Sequence, residues 1–191
     1  MAAKIQSSDI RIERVSLENK PEFQHFSCNN KQLDAFFQKE IISCIEHHYV
    51  TAYYVKHNDT NNIIGIFTLA NDCISLMYDS DDFIEENINS FSDDYKFIFK
   101  EQSSYPAINI AHLAVDKHYR RRGVGKSIIE YIISTFIDFK IAGCQFITVD
   151  SINNPETNNF YFQMGFYNLS NSDSLSPTRR MYLNLATYRN I

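Results

Sequence analysis

A short segment in the second half of the chain combines glycines with positive charge. It spans Arg120–Lys126, reads Arg-Arg-Arg-Gly-Val-Gly-Lys, and joins a run typical of a buried strand to an amphipathic run. The N-terminus of a helix leaves backbone N–H groups without internal partners and carries the positive end of the helix dipole. Gly123 and Gly125 have no side chains that would hold a phosphate away from those groups. The segment therefore predicts an anion site suited to a pyrophosphate, with an ordinary helix-start turn as the alternative.

Four cations lie beside these glycines and add to the field of the helix dipole. They are Arg120, Arg121, Arg122 and Lys126. Three consecutive arginines cannot all face one ligand, because successive side chains point in different directions. We therefore expect the backbone amides of the segment to hold the anion, with only some of the cations in reach of it.

The elements around this segment alternate between strand and helix. Ala107–Val115 and Gln145–Val149 read as buried strands. Between them, apolar residues at helical spacing predict a helix with a wide apolar face: Val124, Ile128, Ile129, Ile132, Ile133 and Phe136. Asn154–Met164 suits a short helix with Pro155 in its first turn, and Phe166–Leu169 and Arg179–Leu185 read as closing strands. This order predicts an α/β core with parallel strand pairing.

The first half of the chain predicts a strand, a helix and a hairpin. Ile10–Leu17 alternates apolar and charged residues, as a strand does. Asn29 or Asn30 can cap a helix that runs to about Glu46. The segments 49–56 and 63–69 read as strands joined by a turn at 58–62. Residues 72–101 are rich in acids and are predicted to form a solvated, partly helical insertion, with attraction of a cationic substrate as the alternative.

Size and composition favour one domain spanning residues 1–191. Hydrophobic residues make up 44% of the chain, which is enough for a packed core. The formal net charge is -5, so a basic field over the whole molecule is absent. Four widely spaced cysteines form no C-x-x-C pair, so a structural zinc site is not expected. The N-terminus lacks the apolar run of a signal peptide, and we expect a cytoplasmic protein with reduced thiols.

Two ordered motifs resemble the GNAT acetyltransferase superfamily. Leu113-Ala114-Val115-Asp116, followed by Arg120-Arg-Arg-Gly123-Val124-Gly125, is similar to the family's acetyl-CoA signature, a Gln or Arg, two residues, Gly, one residue, then Gly or Ala. Downstream, Asn154, Phe160-Tyr161 and Gly165-Phe166 are spaced as in the family, with Thr157 where the family has a small Ala. The resemblance implies a central mixed, twisted sheet of six to seven strands with helices on both faces.

The resemblance also implies a cofactor, a reaction and site residues. Acetyl-CoA is the expected acyl donor, and a primary amine attacks its thioester directly in a ternary complex. Tyr161 holds the family's general-acid position, with simple packing in its helix as the alternative. The residues expected to bind the cofactor are Leu113, Ala114 and Val115 through their backbone, the segment Arg120, Arg121, Arg122, Gly123, Val124, Gly125 and Lys126 at the pyrophosphate, and Asn154 at the pantetheine arm.

His112 is our candidate for the base that accepts the proton of the amine. An ammonium group has no lone pair, so a base or a water chain must remove its proton. The reference pKa of histidine suits this task, and His112 lies on the predicted strand just before the cofactor-binding residues. A structural histidine held by hydrogen bonds is the favoured alternative.

A narrower resemblance reaches into the N-terminal half. Phe26-Ser27-Cys28, Leu33-Asp34 with Phe36-Phe37, and Ile63–Leu69 are similar to the acetyltransferase toxins of bacterial toxin–antitoxin pairs. This implies aminoacyl-tRNA as the acceptor and an antitoxin as partner. A tRNA ligand needs basic surface, whereas residues 72–101 are acidic. A small amine, aminoacyl-tRNA and a non-catalytic acyl-CoA-binding or protein-interaction module therefore all remain open, as does a homodimer.

Overall fold

The computed structural model describes residues 3–18, 23, 26–76, 80–138 and 141–189. Its strands are β1 (Ile10–Arg14), β2 (Thr51–His57), β3 (Ile63–Ser75), β4 (Ser104–Val115), β5 (Phe146–Ile152), β6 (Tyr167–Asn168) and β7 (Thr178–Asn184). Its helices are α1 (Lys31–Ala35), α2 (Ile41–Glu46), α3 (Ser80–Ile88), α4 (Asp93–Glu101), α5 (Val124–Ile137) and α6 (Pro155–Gln163). A π-helical segment, Phe36–Glu40, links α1 to α2. Within these residues, no helix is both long and apolar enough to span a bilayer.

The strands form one mixed sheet in the order β1-β2-β3-β4-β5-β7-β6. β1, β2 and β3 pair antiparallel, β4 and β5 pair in parallel, and β5, β7 and β6 pair antiparallel. The prediction of an α/β core with parallel strand pairing is confirmed, and the seven described strands match the expected number. The parallel pair is joined through α5, as a parallel connection requires.

Two compact units divide the chain. The first comprises Met1–Ala70 with Ile110–Tyr131, and the second comprises Asn71–Asn109 with Ile132–Ile191. In the first unit, a buried cluster joins the helical segment to the strands: Val15, Phe23, Phe26, Cys28, Phe37, Ile41, Ala52, Tyr54, Ile66 and Ala114. Further apolar residues of the helical segment, among them Leu33, Phe36 and Ile45, pack against this cluster.

Helices cover both faces of the strands in the first unit. Tyr54 and Ile66 are paired across β2 and β3 and belong to the cluster beneath α1 and α2. Their neighbours Val55 and Gly65 are also paired, and a Cβ at Gly65 would lie 3.3 Å from the Ile128 side chain on α5. Because successive strand residues point to opposite faces, α5 lies on the face opposite to α1 and α2.

An aromatic core organises the second unit. Phe83 on α3 and Phe99 on α4 are buried with a set of strand residues, namely Ile74, Tyr105, Ala107, Phe146 and Tyr182. The Phe83 ring lies 5.0 Å from the Tyr182 ring and 5.3 Å from the Phe146 ring, between ring centroids. The acids Asp82, Glu85, Asp93 and Asp94 remain exposed. The acidic helices therefore combine a solvated face with an apolar face that forms core.

Some strand boundaries differ from those predicted. β1 ends at Arg14. Leu17, at the end of the predicted strand, is 44% exposed, so this apolar residue does not belong to a buried face of the strand. β3 continues to Ser75 instead of Leu69. Residues 71–75 are mostly polar, yet Ile74 is buried in the aromatic core. Tertiary packing extends this strand where the local pattern gives no signal.

Candidate functional site

The loop between β4 and α5, for which an anion site is predicted, places a left-handed glycine directly before a helix. α5 begins at Val124, directly after Gly123, the first glycine of the motif. Gly123 has φ +95° and Arg121 has φ 59°, both in the left-handed region. Such a conformation favours glycine, and a Cβ at Gly123 would lie 3.4 Å from the Ile5 carbonyl oxygen. The first amides of α5, from Val124 to Lys126, have no partners within the helix.

The cations of this loop have different partners. Arg120 donates from Nη2 to the Cys28 carbonyl oxygen. Arg122 donates from Nε to the Ala3 carbonyl oxygen at 2.9 Å and stacks over the Tyr119 ring. Lys126 is exposed and lies 3.6 Å from Glu130 on the same helix. Two arginines are therefore held by backbone carbonyls, in line with the expectation that not all three can face one ligand.

Leu113, Ala114 and Val115 lie at the end of β4. The residue pairs between β4 and β5 run from Ala107 to Asn109 on β4, so these three residues follow the paired stretch. The Ala114 side chain is buried in the core of the first unit. Any contribution of Ala114 to cofactor binding would therefore come from its backbone, and this role stays a prediction.

His112 is enclosed by side chains of the first unit. Its Nδ1 lies 2.9 Å from Oγ1 of Thr68, which is fully buried. The imidazole stacks on the Phe36 ring at 3.8 Å between centroids, and Phe37 contacts its edge. Burial lowers the pKa of His112 below its ordinary value, because a low dielectric disfavours the charged form. The imidazole is therefore neutral at physiological pH.

Asn154 begins the helix that carries Tyr161. It is the N-cap of α6, and its side-chain oxygen accepts a hydrogen bond from the Thr157 N–H at 2.9 Å. Pro155 occupies the first turn, as predicted. The cap uses one lone pair of the side-chain amide oxygen, and the NH₂ group is the donor that Asn154 could offer to a pantetheine arm.

Tyr161 is buried in the second unit. It is 6% exposed, and its ring packs against Phe160 and Phe166 with centroid distances of 5.1 and 5.3 Å. Burial raises the pKa of the Tyr161 phenol well above its usual range. The phenol therefore keeps its proton at physiological pH and can act as a donor. Asn154 and Tyr161 belong to the second unit, whereas the residues from His112 to Lys126 belong to the first.

The β4–α5 loop has further partners that residue-type reasoning did not assign to the site. Ser27 and Cys28 contact the loop through their backbone, and Asp34 holds both of them. The sequence signal for these residues was the Phe26-Ser-Cys28 and Leu33-Asp34 pattern. In the second unit, Arg180 forms ion pairs with Asp72 and with Asp150, the latter at 2.9 Å.

Comparison with protein families assigns the chain to a class. Residues 50–168 match the model described as an acetyltransferase (GNAT) domain. This match covers more than half of the chain, and it includes the β4–α5 loop and α6. The protein belongs to the GNAT acetyltransferase family, and it is an acetyltransferase for which acetyl-CoA is the acyl donor. The alternative of a non-catalytic module is not supported.

Solved structures with the same fold include bacterial acetyltransferase toxins. A tyrosine-to-phenylalanine mutant of KacT has a TM-score of 0.72 at 16% identity, covering 94% of this chain and 96% of that chain. AtaTR bound with AcCoA has a TM-score of 0.69 at 16% identity, covering 94% and 96%. AtaT complexed with acetyl-methionyl-tRNAfMet has a TM-score of 0.73 at 16% identity, covering 94% and 97%. No curated protein sequence gives a significant match.

Proposed function

We propose that this protein transfers the acetyl group of acetyl-CoA to a primary amine by direct attack in a ternary complex. The observation that carries the proposal is the β4–α5 loop, where left-handed Gly123 precedes the N-terminus of α5. The backbone amides of Val124, Gly125 and Lys126 fit a pyrophosphate, because they lack helical partners and lie at the positive end of a 14-residue helix. Leu113 and Val115 would pair with the pantetheine arm through their backbone groups.

Tyr161 is the proposed proton donor. Acetyl-CoA supplies a thioester carbonyl, at which the amine nitrogen forms the new C–N bond while the C–S bond breaks. The departing thiolate needs a proton or a hydrogen bond. Tyr161 can provide one, because burial keeps its phenol protonated. Asn154 would add a hydrogen bond from its NH₂ group to the pantetheine arm.

His112 is the proposed acceptor of the amine proton. Its lowered pKa keeps the imidazole neutral, and a neutral imidazole has one nitrogen able to accept a proton. If Nδ1 donates to Thr68, that nitrogen is Nε2. The stack on Phe36 and the contact with Thr68 also fit a structural histidine. In the variant His112→Gln, loss of the acid limb in the pH profile of kcat would indicate a base, whereas an unchanged profile would indicate packing.

The amino group of aminoacyl-tRNA is a second candidate acceptor. It is supported by the fold shared with AtaT, which has been solved with acetyl-methionyl-tRNAfMet. The distribution of charge between the two units also supports this acceptor. The first unit contains 12 of the 18 basic residues against 10 acidic ones, a net +2, whereas the second contains 6 basic and 13 acidic residues, a net -7. The cations are therefore concentrated in the unit that carries the β4–α5 loop.

Partners and location also remain proposals. Structures of the neighbours AtaT and KacT include a complex with the antitoxin AtaR and a KacTA–DNA complex, so we propose that an antitoxin binds this chain as well. We also propose a homodimer, which light scattering would contradict if it gave the monomer mass of 22.3 kDa. A cytoplasmic location stays a prediction.

Calorimetric titration with CoA tests the cofactor site directly. We compare the wild type with Gly123→Ala, and use Gly143→Ala as the matched control. A side chain at φ +95° is strained and is expected to distort the loop, whereas a Cβ at Gly143 meets only Pro106 at 3.8 Å. We expect CoA binding to weaken at least about tenfold in Gly123→Ala and to be unchanged in the control. A wild type that does not bind CoA would overturn the proposed function.

A further inference from the structure

The Phe26–Cys28 segment and Asp34 have no part in the chemistry proposed above, yet they are closely connected to the β4–α5 loop. Asp34 lies on α1, within the first unit. Its carboxylate accepts a hydrogen bond from the Ser27 hydroxyl at 2.8 Å and another from the Cys28 N–H at 2.7 Å. Hydrogen bonds to a carboxylate are stronger than those between neutral groups. The carboxylate thereby fixes two successive residues of an otherwise irregular segment.

Protonation states support this arrangement. Burial opposes ionisation of Asp34, but the hydrogen bonds from Cys28 and Ser27 hold the pKa of its carboxyl below its usual range. Burial, together with the neighbouring Asp34, raises the pKa of the Cys28 thiol to about 11. At physiological pH the carboxylate is therefore an acceptor, and the thiol is a neutral, buried group.

The fixed segment is in turn bonded to the loop along its length. The Lys117 N–H donates to the Ser27 carbonyl oxygen at 2.9 Å. The Ser27 N–H lies 3.5 Å from a carboxylate oxygen of Asp116, whose other oxygen accepts from the His118 N–H at 2.9 Å. Arg120 donates to the Cys28 carbonyl oxygen. Residues 116–120 are thus held from one side by two residues that Asp34 orients.

A carboxylate cannot itself bind a phosphate, since it has no donor and like charges repel. Any effect of Asp34 on the cofactor must therefore pass through the loop. We propose that Asp34 is a positioning residue for acetyl-CoA, because it fixes Ser27 and Cys28 so that they hold the β4–α5 loop in the shape that presents the first amides of α5 to the pyrophosphate. This inference rests on the proposed function, in which that loop binds the cofactor.

The test is CoA binding by calorimetry in Asp34→Ala, with Glu40→Ala as the control. Glu40 is an exposed acid further along the same helical segment, so its loss removes the same charge without touching Ser27 or Cys28. We expect CoA affinity to fall about tenfold in Asp34→Ala, the loss that one or two charge-assisted hydrogen bonds give, and to be unchanged in Glu40→Ala. Asp34→Asn should recover most of the affinity, because its oxygen can still accept from Cys28 and the Ser27 hydroxyl can reverse its role.

Amide resonances give a second readout. In ¹H–¹⁵N spectra of the free protein, Asp34→Ala should shift the amides of residues 116–124 and leave those of Gly143 and Gly165, in the second unit, in place. If Asp34→Ala does not fold, Ser27→Ala carries the same test, since it removes only one hydroxyl. Folded Asp34→Ala or Ser27→Ala with wild-type CoA affinity would overturn the inference. Failure of the wild type to bind CoA would instead overturn the proposed function on which it rests.

Discussion

At the scale of single residues, Tyr161 is the side chain whose packing and proton donation can be tested separately. Its ring packs between Phe160 and Phe166, and its hydroxyl is the only part that phenylalanine lacks. In Tyr161→Phe we expect kcat to fall about 100-fold or more, the range usual for loss of a general acid. CoA affinity and the midpoint of thermal unfolding should stay near wild type, because the packing is kept.

The control for this prediction is another tyrosine of the second unit. Tyr167 on β6 is 60% exposed, and Tyr167→Phe should leave kcat unchanged. Steady-state kinetics with acetyl-CoA and a panel of primary amines provide the measurement. If Tyr161→Phe keeps the wild-type kcat, the tyrosine only packs in its helix and another donor serves the thiolate.

Residue types could be predicted to matter before their contacts were known. Gly123 of the Arg120–Lys126 segment was interpretable, because a left-handed backbone position directly before a helix favours glycine. The partners of the arginines were not predictable, because a guanidinium can bind any carbonyl within the length of its side chain. Arg120 bonds to Cys28, 92 positions earlier in the chain, and no local pattern encodes that pairing.

At the scale of elements, α6 depends on its first residue. Asn154 caps the helix through its side-chain oxygen, and its NH₂ group is the one proposed to contact the pantetheine arm. Asn154→Asp keeps an acceptor for the Thr157 N–H and removes the NH₂ donor. We expect this variant to unfold like the wild type and to bind CoA several-fold more weakly, about the loss of one hydrogen bond.

Asn154→Ala separates the two roles further, since it loses the cap as well. Its free energy of unfolding should fall by about 1 kcal/mol, the usual cost of a lost N-cap, measured by urea denaturation. If Asn154→Asp binds CoA as tightly as the wild type, Asn154 is a cap only and takes no part in cofactor binding.

The helices and strands themselves were largely predictable, because burial of one face imposes a period on the sequence. α5 was evident from its apolar spacing, and α6 from Asn154 and Pro155. The π-helical segment Phe36–Glu40 was not predicted. It interrupts a helix whose apolar residues keep helical spacing, and its Phe36 stacks on His112 of a different element. Packing against that distant ring is not visible in the local pattern.

At the scale of the whole molecule, net charge bears on the acceptor. The chain carries a formal net charge of -5 at pH 7. Binding of a polyanion such as tRNA requires cationic residues, which displace the counterions of its phosphates. We therefore expect a small primary amine as the acceptor, with a KM that changes less than about threefold between roughly 50 and 200 mM salt. Binding through several phosphates would instead weaken by about 10³-fold over that range.

Parallel acetylation assays on small amines and on aminoacyl-tRNA, each over this range of salt, measure the preferred acceptor and the salt dependence of its KM. Efficient acetylation of aminoacyl-tRNA with a steep salt dependence would contradict the small-amine prediction and favour the second candidate. In that case the 12 basic residues of the first unit, rather than the net charge of the chain, would decide the interaction.

The sequence by itself determined the class of this protein. The order of strands and helices and the glycine before α5, Gly123, are local features, and each follows from a short-range constraint of burial or backbone conformation. Only the tertiary structure decided how the loop is held. Arg120 and Arg122 donate to backbone carbonyls, and His112 lies between Thr68 and Phe36. Asp34 is connected to the loop through Ser27 and Cys28. These contacts join residues far apart in the chain, and their partners are fixed by the packing of the whole unit rather than by any neighbouring residues.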